Sequence, residues 1–213
     1  MILPTPLYVI LDQGATGDRD LVLVLDAVLE GGCRVVQLRE KTMPLGDLFP
    51  VARALRRRCR EAGCLFIVND RVDLALSVEA DGVHVGQDDL PASEARRLLR
   101  PGMILGVSTH DESQARRARD DGADYVAVGS MFPTGSKAGF RLVGPDLIRR
   151  VRPEIRAPLV AIGGITLDNV TEVIRAGADA VAVISAVCAA PDPASASRRF
   201  LEVIRAAREN APR

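Results

Sequence analysis

The chain has 213 residues, of which 47% are hydrophobic and only 3% aromatic, with no tryptophan. Such a composition excludes disordered and fibrous chains and predicts a globular protein with an aliphatic core. Lys plus Arg number 28 and Asp plus Glu number 28, so the formal net charge is zero and offers no general attraction to nucleic acid or a membrane surface; any anion must be caught locally.

Residues 1–11 carry no basic region ahead of their apolar side chains, and no stretch reaches the roughly 18 uncharged apolar residues that a membrane span requires. A cytosolic location is expected. Cys33, Cys59, Cys64 and Cys188 include no C-x-x-C pair, so they read as reduced, buried or half-buried thiols rather than as metal or redox ligands.

Taken in chain order, short β-branched runs alternate with amphipathic stretches. A strand over 7–11 precedes a helix over 20–30, and a strand over 34–38 precedes a helix over 45–62. Strands over 65–68 and 82–85 are followed by helices over 71–78 and 92–99, and strands over 104–107 and 125–128 by helices over 112–121 and 145–151. Strands over 159–162 and 180–184, with helices over 167–176 and 194–209, complete eight of each. Gly31, Gly63, Gly122 and Gly177 follow four of the helices, where glycine tolerates a left-handed exit. The run from Asp121 to Val128 recurs from Ala176 to Val183 at an offset of 55 residues, about two βα units. An open doubly wound sheet would carry a Gly-rich fingerprint after its first strand, which Asp12-Gln13-Gly14-Ala15-Thr16-Gly17 lacks. The pattern therefore predicts one α/β domain over 1–213, a closed (β/α)8 TIM barrel. Arginine runs at 56–60 and 116–119 are read as solvated outer helix faces.

In such a barrel the working residues stand at the carboxyl ends of the strands. After the second strand, Gln37, Arg39 and Lys41 share one side if the segment stays extended, unless Glu40 neutralises a cation. Asn69-Asp70-Arg71 follows the third strand and Gly86-Gln87-Asp88-Asp89 the fourth. Parallel neighbours lie about 4.8 Å apart, so Asp70 and one of those aspartates can reach a common point and hold a hard divalent cation together with substrate phosphate. The alternative for Asp70 is to cap the helix beginning at Arg71. Ser108 lies at the fifth mouth. His84 is read as an interior hydrogen-bonded side chain, and capping of the following helix is one alternative for His110; neither is assigned a catalytic role. The loop from Gly129 to Gly139, with Thr134, Ser136 and Lys137, can wrap an anion. Gly163-Gly164-Ile165-Thr166 leads into a helix, and Ile184-Ser185 closes the eighth strand. Those two ends often hold a phosphate in barrel enzymes.

These segments resemble the thiamine phosphate synthase family. QLREK at 37–41, NDR at 69–71, HVGQDD at 84–89, GVS at 106–108, FPTGSK at 132–137, AIGGIT at 161–166 and VIS at 183–185 occur in order over nearly the whole chain. The resemblance implies a transferase that joins a hydroxymethylpyrimidine diphosphate to a thiazole phosphate, in plain or carboxylated form, and releases pyrophosphate. It implies that Gln37, Arg39, Lys41, Asn69, Ser108 and Lys137 hold the pyrimidine diphosphate, that Asp70 and Asp89 hold one Mg2+, and that Thr134, Ser136, Gly164, Ile184 and Ser185 hold the thiazole phosphate. Ser136 stands where the family commonly has threonine, which keeps the hydroxyl. Its partners would be small molecules, without nucleic acid or membrane, and a homo-oligomer is compatible with the sequence. The alternatives are a thiazole tautomerase or regulatory paralogue of the same barrel, a non-catalytic phosphate-binding protein, or an unrelated phosphate-binding isomerase barrel; only the first-named activity calls for QLREK together with paired aspartates.

Overall fold

The computed structural model describes residues 3–17, 19–133 and 142–209. Strands β1 (Leu7–Asp12), β2 (Val35–Arg39), β3 (Leu65–Asn69), β4 (Gly82–Val85), β5 (Ile104–Thr109), β6 (Tyr125–Gly129), β7 (Leu159–Ile162) and β8 (Ala180–Val183) pair in parallel, each with the next and β8 with β1. They close the predicted barrel. The helices are α1 (Gln13–Thr16), α2 (Leu21–Glu30), α3 (Leu45–Glu61), α4 (Val72–Ser77), α5 (Ala92–Leu98), α6 (Glu112–Asp120), α7 (Pro145–Val151), α8 (Val170–Arg175), α9 (Ser185–Cys188) and α10 (Pro193–Glu209).

Two of these helices depart from the predicted eight. α1 and α9 are single turns at the ends of β1 and β8, too short to show a helical period. β8 accordingly ends at Val183, and Ser185 opens a helical turn rather than closing a strand. After β7 the chain makes a turn through Thr166 and Asn169 before α8 begins at Val170, later than the predicted 167. Among the described residues no helix is long and apolar enough to cross a membrane.

Parallel register and period-two alternation divide the core into two layers. Val9, Val36, Phe66, Val83 and Val126 face outward and pack beneath the helices, while Tyr8, Ile10, Val35, Ile67, Tyr125, Ala127, Val160 and Ala182 point into the barrel. Filling the interior with short aliphatic side chains explains why so little aromatic residue is needed.

At the amino-terminal rim one device occurs three times. Asp81, Asp124 and Asp179 precede β4, β6 and β8, and each carboxylate accepts a strand N–H (Phe66, Leu105 and Leu159, all at 2.8 Å) and an arginine N–H (Arg56, Arg96 and Arg152, at 2.8, 2.9 and 2.6 Å). This is the physical content of the 55-residue repeat. Gly122 and Gly177 stand two residues before their aspartates with φ of 84° and 110°, and in the third copy Glu79 takes that place at φ 54°. The third copy was hidden because glutamate stands where glycine is favoured. Arg56 is thus a half-buried clamp and not a solvated outer residue. Gly31 also differs from expectation: its φ is −67°, and the left-handed exit falls to Gly32 at 92°. Gly31 is small because a Cβ there would come within 2.5 Å of Ser197 Cβ and 2.6 Å of the Ala194 carbonyl.

All four cysteines are free and buried. Burial pushes the Cys33 and Cys188 thiols up to about 12, and the neighbouring Cys59 pushes Cys64 upward as well. A thiol that stays protonated is a poor nucleophile. An aromatic disulfide reagent should therefore leave the folded protein untouched and titrate all four thiols after denaturation. Asp124→Ala, which strips both donors of their acceptor, should lower unfolding free energy by about 1–3 kcal/mol in a denaturant titration.

Candidate active site

A cavity of about 790 Å³ opens at the carboxyl ends of the strands, within the roughly 300–1,000 Å³ range of small-molecule sites. Gln37, Arg39, Lys41, Asn69, Asp70, Asp89 and Ser108 line it on the β2–β5 side, and Gly164, Ile184 and Ser185 line it on the β7–β8 side. Ten of the residues singled out from sequence therefore meet at one place. Thr134, Ser136 and Lys137 lie outside the described residues.

Gln37 and Arg39 point inward as alternate residues of β2, and although the strand ends at Arg39, Lys41 still reaches the same cavity. Register places Asp12 beside Arg39, and the two form a half-buried ion pair that holds the guanidinium at the rim. Lys41, half exposed, pairs with Asp70 across to the β3 mouth. Glu40 neutralises neither cation. It folds back to accept the N–H groups of Thr42 and Met43 at 2.7 and 3.0 Å and so builds the turn into α3.

Asp70 does not cap α4, whose N-cap is Arg71 without a side-chain bond. Its backbone adopts φ 60°, a left-handed conformation uncommon outside glycine, asparagine and aspartate, with its N–H donating to the His84 carbonyl at 2.8 Å. That conformation turns the carboxylate over the mouth toward Asp89. Asp89 is held in turn by the Gly86 N–H at 2.7 Å. Burial and then the adjoining Asp89 raise the Asp70 pKa. Burial opposes ionisation of Asp89 too, but its hydrogen bond from Asp70, the Gly86 N–H and the Lys41 charge outweigh it and lower its pKa. Two carboxylates that close invite a proton or a cation between them.

On the far side, Gly163 and Gly164 have φ of 100° and 65°, and a Cβ on Gly164 would sit 2.5 Å from the Pro133 carbonyl oxygen. Backbone can therefore approach both the preceding loop and a ligand there. Ile184 and Ser185 begin α9 at the adjacent mouth.

Beneath the rim lies a polar layer largely absent from the sequence reading. Gln37 Nε2 donates to the Tyr8 hydroxyl at 2.8 Å, Tyr8 and Tyr125 hydroxyls are 3.0 Å apart, and His84 bridges Tyr125 at 2.9 Å and Ser108 at 2.8 Å. The interior, hydrogen-bonded histidine was expected; its tyrosine partners were not. The signal was available, since these are the only two tyrosines in the chain and both fall on inward positions of strands. Gly106 is explained by the same layer: a Cβ there would lie 2.0 Å from the Tyr125 ring. His110 is not a helix cap, because Asp111 caps α6; its Nδ1 instead meets the Gly129 carbonyl at 2.5 Å on the cavity wall.

A closed barrel that gathers cations, a carboxylate pair and glycine turns around one carboxyl-end cavity belongs to the phosphate-handling (β/α)8 enzymes. Comparison with known proteins narrows that class. The thiamine monophosphate synthase profile matches residues 7–187. Thiamine-phosphate synthase of Moorella thermoacetica is 50% identical over 95% of this chain and 97% of its own, and that of a Roseiflexus species is 50% identical over 94% and 85%. The solved thiamine phosphate pyrophosphorylase of Pyrococcus furiosus superposes with a TM-score of 0.87 at 38% identity, covering 94% of this chain and 96% of that one. The chain belongs to the thiamine monophosphate synthase family.

The opposed shifts of the two aspartates have opposite consequences for stability. Asp70, with a raised folded value, costs stability increasingly as pH climbs through the ordinary carboxylate range, whereas Asp89 contributes stability above that range and loses it as pH falls through its lowered value. In metal-free protein at neutral pH, Asp70→Asn should therefore raise unfolding free energy by about 0.5–2 kcal/mol, helped by asparagine's tolerance of positive φ, while Asp89→Asn should lower it. Denaturant titrations of both variants check the pair.

Proposed function

We propose that the cavity binds a pyrimidine methyl diphosphate and a thiazole phosphate together and joins them, as expected of a transferase that forms thiamine phosphate and releases pyrophosphate. The observation that carries this reading is convergence: the QLREK cations, the Asp70 and Asp89 pair, and the glycine turn after β7 face one cavity. Arg39, Lys41, Asn69 and Lys137 bind the diphosphate, and Gln37 and Ser108 lie against the pyrimidine. Thr134, Ser136, Gly164, Ile184 and Ser185 take the thiazole phosphate.

The donor set at Asp70 and Asp89 fits a hard divalent cation. Among the described residues no group of three or more His, Cys, Asp or Glu side chains gathers around a point, so the protein offers two carboxylates and leaves the remaining positions to substrate oxygens and water. Asp70 and Asp89 would hold Mg2+, which when bound supplies further positive charge against the leaving diphosphate.

The chemistry needs charge neutralisation more than it needs a base. An electron-rich aminopyrimidine supports positive charge at its methylene as the diphosphate departs, and the thiazole nitrogen attacks with a lone pair it already has. Arg39, Lys41 and Lys137 lower the barrier by binding charge that grows on the departing oxygens. Asp12 keeps Arg39 at the rim while the site waits for substrate. Ile10, Val160, Ile162 and Ala182 line the inner wall and limit water around the cationic carbon. A paralogue that only isomerises a thiazole, or a binding protein without turnover, has no use for a complete diphosphate apparatus. On this reading the chain acts on small molecules, with a cytosolic location as the expectation.

The purified protein should convert the two phosphorylated heterocycles to thiamine phosphate, detected by chromatography, with equimolar pyrophosphate. Arg39→Ala and Lys137→Ala should each reduce kcat/KM by an amount equivalent to about 1.5–3 kcal/mol, the loss of one charged hydrogen bond. Removing divalent metal with a chelator should stop pyrophosphate release, and added Mg2+ should restore it; unchanged turnover would take Asp70 and Asp89 out of the mechanism.

A further inference from the structure

Gln37 on β2, Tyr8 on β1, Tyr125 on β6, His84 on β4 and Ser108 on β5 form one unbroken hydrogen-bonded file across the barrel interior. Gln37, Tyr8, His84 and Ser108 line the cavity, and of the five only Tyr125 stands behind its wall. The function proposed above uses only the two ends, Gln37 and Ser108, and gives Tyr8, Tyr125 and His84 no part. Three polar rings inside an otherwise aliphatic barrel are an expensive filling, since each polar atom must be desolvated and then satisfied. Tyr125 also forbids any side chain at Gly106. Packing alone would be served by leucine or phenylalanine.

The file has a direction because each phenol carries a single hydrogen. Gln37 Nε2 donates to the Tyr8 oxygen, so the Tyr8 hydrogen goes to the Tyr125 oxygen. The Tyr125 hydrogen then goes to His84 Nδ1, which leaves the Nε2 hydrogen of a neutral imidazole for Ser108 Oγ. Burial raises both phenols above their ordinary range, so they keep these hydrogens. At the Ser108 end the hydroxyl hydrogen remains, and it has the cavity before it.

We propose that this file makes the Ser108 hydroxyl a fixed donor toward an acceptor atom of the pyrimidine diphosphate, with Tyr8, Tyr125 and His84 as positioning residues that act through it. The inference rests on the reading that this substrate lies against Gln37 and Ser108, and it adds what sets the polarity of that contact. Were the file reversed, Ser108 would present a lone pair and select a ring N–H instead.

The chain has only two histidines, and the proposed direction requires opposite tautomers of them: His110 Nδ1 faces the Gly129 carbonyl, which can only accept, whereas His84 would carry its hydrogen on Nε2 toward Ser108. A long-range 1H–15N spectrum of the full-length, 15N-labelled protein at about pH 8, above the ordinary histidine range, should show one imidazole of each kind, assigned by His110→Gln. His84 protonated on Nδ1, or on both nitrogens, overturns the proposal, and this reading needs neither activity nor a foldable variant. In kinetics, Tyr125→Phe keeps the ring over Gly106 and breaks the file. It should lower kcat/KM for the pyrimidine diphosphate roughly tenfold, one hydrogen bond's worth, with KM for the thiazole phosphate unchanged. In a Ser108→Ala background the same substitution should bring no further loss, because the file acts only through that hydroxyl. Losses that multiply, or a fully active Tyr125→Phe, overturn it. Failure of the unmodified protein to form thiamine phosphate would instead refute the substrate assignment, and the tautomers would still decide the direction of the file.

Discussion

Closure of eight parallel strands commits every second side chain to a space that water hardly enters, and the whole molecule is arranged around that commitment. Looking along the barrel axis, the interior changes character in steps. Val35 and Ile67 fill the lower levels, the Gln37–Ser108 file crosses the middle, and Arg39 with the Asp12, Asp70 and Asp89 carboxylates stands at the mouth. A one-residue slip of β2 would turn Gln37 and Arg39 outward and bring Val36 and Leu38 inside. Register is thus a condition for chemistry as much as for stability.

The two ends of the barrel do different work. At the amino-terminal rim the three aspartate clamps tie strand starts to helices through arginine, in one recurring geometry. At the carboxyl rim the residues are set against their own comfort: Asp70 in a left-handed conformation, two carboxylates sharing one neighbourhood, and cations leaning on acids that a substrate must displace. This is the distribution expected when stability is built where nothing binds and strain is accepted where something does. A chain with no net charge can still offer positive charge locally, because Arg39 and Lys41 stand together at the cavity mouth.

The interior file joins five strands of the barrel beside the cavity. Polar groups behind a cavity hydroxyl govern what it can offer, since a hydroxyl's role as donor or acceptor is decided by its other neighbour. Ser108 alone is ambiguous. Ser108 with His84, Tyr125, Tyr8 and Gln37 behind it is not.

Much of this was legible in one dimension. β-branched runs, helix-ending glycines and the repeat that carries Asp124 and Asp179 are local signals, and they located all eight strands to within a residue or two; the strand-end motifs likewise pointed to Gln37, Arg39, Asn69, Asp70 and Asp89, because a barrel brings strand ends together whatever its details. The misreadings were of another kind. The single turns α1 and α9 are too short to repeat a helical pattern, Gly31 is small to admit Ser197 rather than to turn the chain, and Glu79 hid a third copy of the repeat. Asp12 as the partner of Arg39, Glu40 folded into its own turn, and the file from Gln37 through two tyrosines to Ser108 were decided only by tertiary structure. Residues 8 and 125 are 117 positions apart, and no local pattern carries a distance of that kind: sequence determines which way each side chain points along its strand, but only closure of the sheet determines whom it meets.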